Sequence, residues 1–223
     1  MTTASNVERR PFFPRSFSCS KSLVGLERIF DDDISICIWR REIDRAIADF
    51  LKGCAFSQSV EIVQKLERSS PALAEVLGPF PATEMRERFA ADILALIDLF
   101  ATLADTGQVG LRLSVTREAM CPRFHVDRVG LRMVTTWIGP GTEWLEHQSV
   151  DRRFLGLRSS DVADEASGLL RGGVQIHRMQ PFDVALLKGE RFADNEGRGA
   201  VHRSPKISAS APWRVMISLE EAD

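Results

Sequence analysis

Val109-Gly110-Leu111-Arg112-Leu113-Ser114-Val115-Thr116 is the stretch that decides the fold. Apolar residues alternate along it with small, polar or charged ones, the pattern of a strand buried on one face only. Just before it stands Gly107, and on the other side of that glycine the period is different. From Thr83 to Ala104, the residues Met85, Phe89, Ile93, Leu96, Phe100 and Leu103 recur at helical spacing, and Thr83 is placed to cap the first turn. Such a stripe packs a helix onto a sheet. It carries architecture and no chemistry.

Further upstream, Ile34-Ser35-Ile36-Cys37-Ile38-Trp39 follows Asp31-Asp32-Asp33 and alternates with β-branched content, which predicts a short strand. From Arg41 the spacing of Ile43, Ile47, Phe50 and Leu51 predicts a helix stopped by Gly53. A second helix is expected over Ser59 to Glu67, and a short third one from Pro71 to just before Gly78-Pro79. The first thirty residues mix Pro, Phe, Ser and Arg without a period and read as an irregularly packed arm.

Downstream, strands are expected at Leu131–Ile138, Val174–Ile176, Val184–Leu187, Ala200–His202 and Trp213–Leu219. Turns at Gly139-Pro140-Gly141 and Gly172-Gly173 punctuate them, and the charged segment from Asp151 to Gly172 reads as an insertion or lid. Short strands at this spacing favour a sandwich or barrel over βαβ units. The expected class is α+β, with a helical region over 1–107 and a β domain over 108–223, packed as one unit.

A net charge of −2 over 223 residues excludes a broad electrostatic attraction to nucleic acid or to an anionic membrane. The stretch Ile93 to Ala104 is interrupted by Asp98 and is too short to cross a bilayer, and Met1 to Phe13 has no apolar core of a signal peptide. Cys19, Cys37, Cys54 and Cys121 are scattered without C-x-x-C spacing, so reduced thiols and a cytoplasmic location are expected. No G-x-G-x-x-G, G-x-x-x-x-G-K-[ST] or G-x-S-x-G is present, which removes the common nucleotide-binding and serine-hydrolase signatures.

Chemistry concentrates in Cys121-Pro122-Arg123-Phe124-His125-Val126-Asp127. In an extended segment, residues two apart project from one face, so His125 and Asp127 offer an imidazole and a carboxylate to a common space. His202, in Ala200-Val201-His202-Arg203-Ser204-Pro205, is the natural third ligand. A two-His, one-carboxylate face leaves one side of the metal open, as in non-haem Fe(II) oxygenases. Arg214, heading the last predicted strand, has the planar fork that suits a carboxylate. Cys121 is a possible additional ligand, and a thiolate there would favour a closed zinc site. Arg123, Arg128 and Arg132 surround the motif and read as a salt-bridged face or a recognition patch for an anionic substrate. His147 and His177 have no partner at ligand spacing.

H-x-D, a distal His in H-R-S-P and a following Arg together resemble the Fe(II)/2-oxoglutarate-dependent dioxygenase superfamily. Gly139-Pro140-Gly141-Thr142-Glu143-Trp144-Leu145 and Pro181-Phe182-Asp183-Val184-Ala185-Leu186-Leu187-Lys188-Gly189 are similar to segments of its prolyl-hydroxylase-like branch. The resemblance covers roughly residues 108–220 and implies a double-stranded β-helix, a jelly-roll with the metal inside. It further implies Fe(II) on His125, Asp127 and His202, 2-oxoglutarate held by Arg214, and hydroxylation of a small-molecule or protein side-chain substrate. The chain departs from that pattern in containing no Tyr, so Thr136, Trp137 or Ser218 would take the place of the phenol that often assists 2-oxoglutarate. The interval from His202 to Arg214 is also slightly long, with an extra loop over Ser208 to Pro212. The H-x-D context also resembles a bacterial domain-of-unknown-function family associated with zinc-homeostasis gene clusters. That likeness implies the alternative of a zinc-binding accessory or regulatory protein.

Overall fold

A computed structural model of the chain describes residues 16–54, 56–69, 72–155, 162–209 and 212–222. Its strands and helices are β1 (Phe17–Ser20), β2 (Ile36–Trp39), α1 (Arg45–Gly53), β3 (Val60–Glu67), α2 (Glu84–Leu103), β4 (Gln108–Thr116), β5 (Leu131–Ile138), β6 (Glu143–Leu145), β7 (His177–Arg178), β8 (Val184–Lys188), β9 (Val201–Arg203) and β10 (Arg214–Glu221). Seven strands form one sheet in the order β1-β2-β8-β5-β10-β4-β3, and β7-β6-β9 form a second. All pairings are antiparallel except β1 with β2.

Alternation sorts the side chains of the large sheet onto two faces. Val109, Leu111, Leu113 and Val115 of β4, with Val215, Ile217 and Leu219 of β10, join the core that also contains Phe89, Ile93, Leu96, Ile97 and Phe100 of α2. This is the helix-covered face. On the other face, Ile36, Ile38, Val134, Ala185 and Leu187 pack against Trp144, Met179 and Ala200 of the smaller sheet and its flanks. Two sheets closed over this second core make a jelly-roll-like arrangement.

Both helices begin where a side chain satisfies the free N–H groups of the first turn. Asp44 accepts from Ala46 N and Ile47 N at 3.0 and 3.2 Å, so α1 starts at Arg45 and not at Arg41. Thr83 Oγ1 accepts from Arg86 N at 3.3 Å at the head of α2.

Four expectations change. Val60–Glu67 is a strand and not a helix: it pairs with β4 along its whole length and turns Val60, Ile62 and Leu66 towards the core. Its apolar residues also fit a helical period, and a run this short is ambiguous until a partner strand is found. The residues after Pro71, itself outside the described set, form turns over 74–79 and no third helix. The expected arm contains β1, hydrogen-bonded beside β2, and a 3-10 helix over Leu23–Phe30. The strand expected at Val174–Ile176 lies slightly later, at His177–Arg178. Strands from both sides of position 107 therefore share the large sheet. None of the four cysteines forms a disulfide, and no described helix is long and apolar enough to cross a membrane.

Candidate metal centre

His125 and His202 are brought together by backbone pairing. They form an isolated antiparallel bridge, with His125 N donating to His202 O and His202 N to His125 O, both at 3.0 Å. Their ring centroids are 4.5 Å apart. Asp127, two residues on, is held by its own backbone carbonyl, which accepts from Glu190 N at 2.8 Å. That contact requires Gly189, where a Cβ would come within 2.1 Å of Val129 O and 2.9 Å of Asp127 O. His125, Asp127 and His202 thus offer ligand atoms that all lie within 4.8 Å of one another.

The donor set fits a divalent cation. His125 Nδ1 lies 2.9 Å from Arg123 O and His202 Nδ1 lies 3.1 Å from Ala200 O. A carbonyl only accepts, so each Nδ1 carries the hydrogen and each Nε2 of the neutral ring presents a lone pair. Those two nitrogens face the Asp127 carboxylate at 3.4 and 3.2 Å. Three electron-rich atoms at such range call for a positive charge among them, which a divalent cation or a proton on an imidazole supplies. Asp127 Oδ2 is buried without a hydrogen bond of good geometry, although Arg132 Nη1 lies 3.0 Å away. Burial alone would raise the Asp127 pKa, but the two imidazoles and Arg132 together outweigh it and hold the group far below the usual carboxylate range. Burial likewise opposes a charged His125, and Asp127 overrides it, so that pKa is raised.

Arg214 is 1% exposed. Its Nη2 donates to Thr142 Oγ1 at 3.0 Å and Thr136 Oγ1 at 3.3 Å, and its Nε has no partner. Among the described residues no carboxylate pairs with it, and burial brings its pKa down to about 10. A cavity of about 230 Å³ joins it to the histidines, with His125, Arg132, Thr142, His202, Arg214 and Ser218 in its wall. A larger cavity of about 550 Å³ opens on the other side of the motif, against His125, Asp127, Phe154, Leu155, Asp164 and Glu190.

The structure assembles most, but not all, of the residues singled out from sequence. Thr136 and Ser218 stand beside Arg214 or in its cavity, whereas Trp137 points to the opposite face and donates to Asp92 at 2.6 Å. Cys121 lines the cavities yet is not one of the convergent ligand atoms. Arg123, Arg128 and Arg132 pair with Asp164, Glu190 and Asp127 respectively. His147 contacts Arg152, and His177 stacks on Trp144 and pairs with Glu146. The loop from Ser208 to Pro212 lies partly outside the described residues. Sequence reading missed Thr142 as a partner of Arg214 and the contact of Arg132 with Asp127. The first lay in a quoted segment, but nothing in one dimension aims its hydroxyl.

Comparison with known proteins locates the chain. The family described as protein of unknown function (DUF1826) matches residues 20–220. The chain belongs to this family. No curated protein matches it. Among solved structures, this DUF1826 chain is similar to dioxygenase for auxin oxidation 1 from Arabidopsis thaliana, solved with 2-oxoglutarate, at 12% identity and a TM-score of 0.47, covering 92% of this chain and 91% of the other. It is similar to AviO1 from Streptomyces viridochromogenes at 17% identity and a TM-score of 0.43, covering 90% and 94%. A bsmA homologue from Methylobium petroleophilum is similar at 12% identity and a TM-score of 0.44, over 88% and 91%.

Proposed function

We propose that this DUF1826 chain is a non-haem Fe(II)/2-oxoglutarate-dependent oxygenase acting on a substrate yet to be identified. The observation that carries the reading is Arg214, a fully buried cation that no carboxylate among the described residues pairs with, in a cavity it shares with both histidines. An unpaired buried charge is costly, and a site keeps one where a ligand completes it. A divalent cation on two neutral imidazoles and one carboxylate leaves a single positive charge, and Arg214 adds a second. A dicarboxylate carries the matching pair. Arg132 does not disturb this balance, because Glu220 pairs with it on its other side.

His125, Asp127 and His202 would hold the iron, which when bound supplies the activation of O₂ coupled to decarboxylation of the oxo acid. The chain's own residues bind and orient. Arg214 would grip the distal carboxylate, its guanidinium fixed in roll by the hydroxyls of Thr136 and Thr142. Ser218 reaches the same wall and replaces nothing in charge, only a hydrogen-bond site. The larger cavity beyond His125 is the place for the substrate, with Phe154 and Leu155 of the inserted segment closing part of it. A lid role for 151–172 belongs to this reading, and its residues 156–161 lie outside the described set. The zinc alternative would need Cys121 as a fourth ligand, and its thiol stands apart from the triad.

Anaerobic protein given Fe(II) and 2-oxoglutarate should develop the visible metal-to-ligand charge-transfer band. Arg214→Ala should keep metal affinity and lose that band. Tight zinc binding that depends on Cys121, with no band under any condition, would overturn the oxygenase.

A further inference from the structure

One buried carboxylate outside the triad grips both segments that carry it. Asp164 is 3% exposed and belongs to the inserted segment, in a 3-10 turn over Asp164–Ala166. Its Oδ1 accepts from Arg123 Nε at 2.6 Å, and its Oδ2 accepts from Phe124 N at 2.8 Å and from Arg203 Nη1 at 3.3 Å. Arg123 and Phe124 immediately precede His125, and Arg203 immediately follows His202. The carbonyl of the same Arg123 receives the His125 Nδ1 hydrogen, which sets that ring's tautomer. Arg203 is fixed in turn by Glu143 at 2.8 Å and Glu165 at 3.0 Å, and its guanidinium lies over the Phe124 ring at 4.2 Å. The carboxylate therefore ties together the two histidine-bearing segments, adding to the His125–His202 bridge, to Ser204 N donating to Cys121 O at 2.8 Å and to Arg203 over Phe124.

We infer that Asp164 is a positioning residue for the metal centre, and that through it docking of residues 162–170 and metal binding are coupled. Because two of its three donors are charged and the site is buried, the interaction is strong and directional. The coupling must run both ways: if the docked segment improves metal affinity, bound metal must stabilise the docked segment equally. This rests on the metal reading of the triad and not on the cosubstrate.

Co(II), with its visible d–d spectrum, is the probe. In the unaltered protein, Co(II) should bind and should slow amide hydrogen exchange across residues 162–170. Asp164→Asn keeps the shape but turns one acceptor into a donor facing donors; Co(II) affinity should fall by about 10–100-fold, as for outer partners of metal ligands. The altered d–d band should show distorted ligand geometry, and metal-dependent protection of 162–170 should vanish. Glu165→Gln, which loses an exposed partner of the same Arg203, should change affinity less than twofold. Unaltered protein that binds no Co(II) would overturn the metal reading and this inference with it. Co(II) binding with no change in exchange at 162–170, or with equal affinity in Asp164→Asn, would overturn this inference alone. The exchange measurement needs no variant, so a misfolded Asp164→Asn would not protect the idea.

Discussion

The two faces of the large sheet do opposite work along β4 and β10. Along β4 and β10 every second residue faces α2: Leu111, Leu113, Val115, Val215, Ile217 and Leu219, all buried and apolar. The residues between them, Arg112, Ser114, Arg214, Met216 and Ser218, line the small cavity beside the histidines. One face stabilises by removing apolar surface from water, at about 25 cal/mol per Å². The other keeps the Arg214 cation buried, hydrogen-bonded to the hydroxyls of Thr136 and Thr142 but, among the described residues, paired with no carboxylate. On the proposed function, stability and binding fall to alternate residues of one strand, so they should be separable by substitution.

The largest test of that separation is Phe100→Ala on α2. Phe100 is fully buried against the apolar face, and its loss should cost about 3–5 kcal/mol in chemical denaturation. Metal affinity of the remaining folded protein should be unchanged; a large change would show that the two faces are not independent. Arg214→Met should behave in the reverse sense. Truncating one partner of a buried charge pair costs about 2–5 kcal/mol of binding, so 2-oxoglutarate affinity should collapse. Yet the ligand-free protein should be as stable as the original or more so, because an uncompensated buried charge has been replaced by an apolar side chain of similar length. A loss of ligand-free stability would mean that Arg214 is a structural residue.

The smallest effect concerns acid. Burial, with Arg152 close by, brings the His147 pKa down to about 4 from an ordinary 6.5. The unfolded chain then binds the proton more readily than the folded one, so stability is full above pH 6.5, falls as pH drops and levels off near pH 4. After allowance for solvent screening the loss is on the order of 1–2 kcal/mol. His147→Gln should flatten this part of the pH–stability curve without affecting Co(II) affinity at pH 7.5. A curve of unchanged slope would place the acid sensitivity elsewhere.

The parts legible in one dimension were those with a strong period or a constrained residue pair. The stripe of α2, the alternation of β4 and the span of β5 read directly, because a helix or a half-buried strand imposes its own spacing on apolar residues. Val60–Glu67 did not, since its apolar residues suit both periods and only its pairing with β4 makes it a strand. His125 and Asp127 could be linked from sequence because i and i+2 share a face of an extended chain. His202 could be nominated among four histidines, but its approach depends on the backbone bridge to His125.

By itself, then, the sequence determined which residues could be apolar core, which short segment presents an imidazole beside a carboxylate, and that one arginine heads the final strand. Tertiary structure alone decided that Arg214 is buried with no carboxylate partner among the described residues, that Cys121 stays outside the ligand group, and that Asp164 reaches back to both histidine-bearing segments. The physical reason is range. Periodicity reports local burial, whereas charge compensation depends on what distant segments bring within about 3–4 Å, and no spacing rule in one chain encodes that meeting.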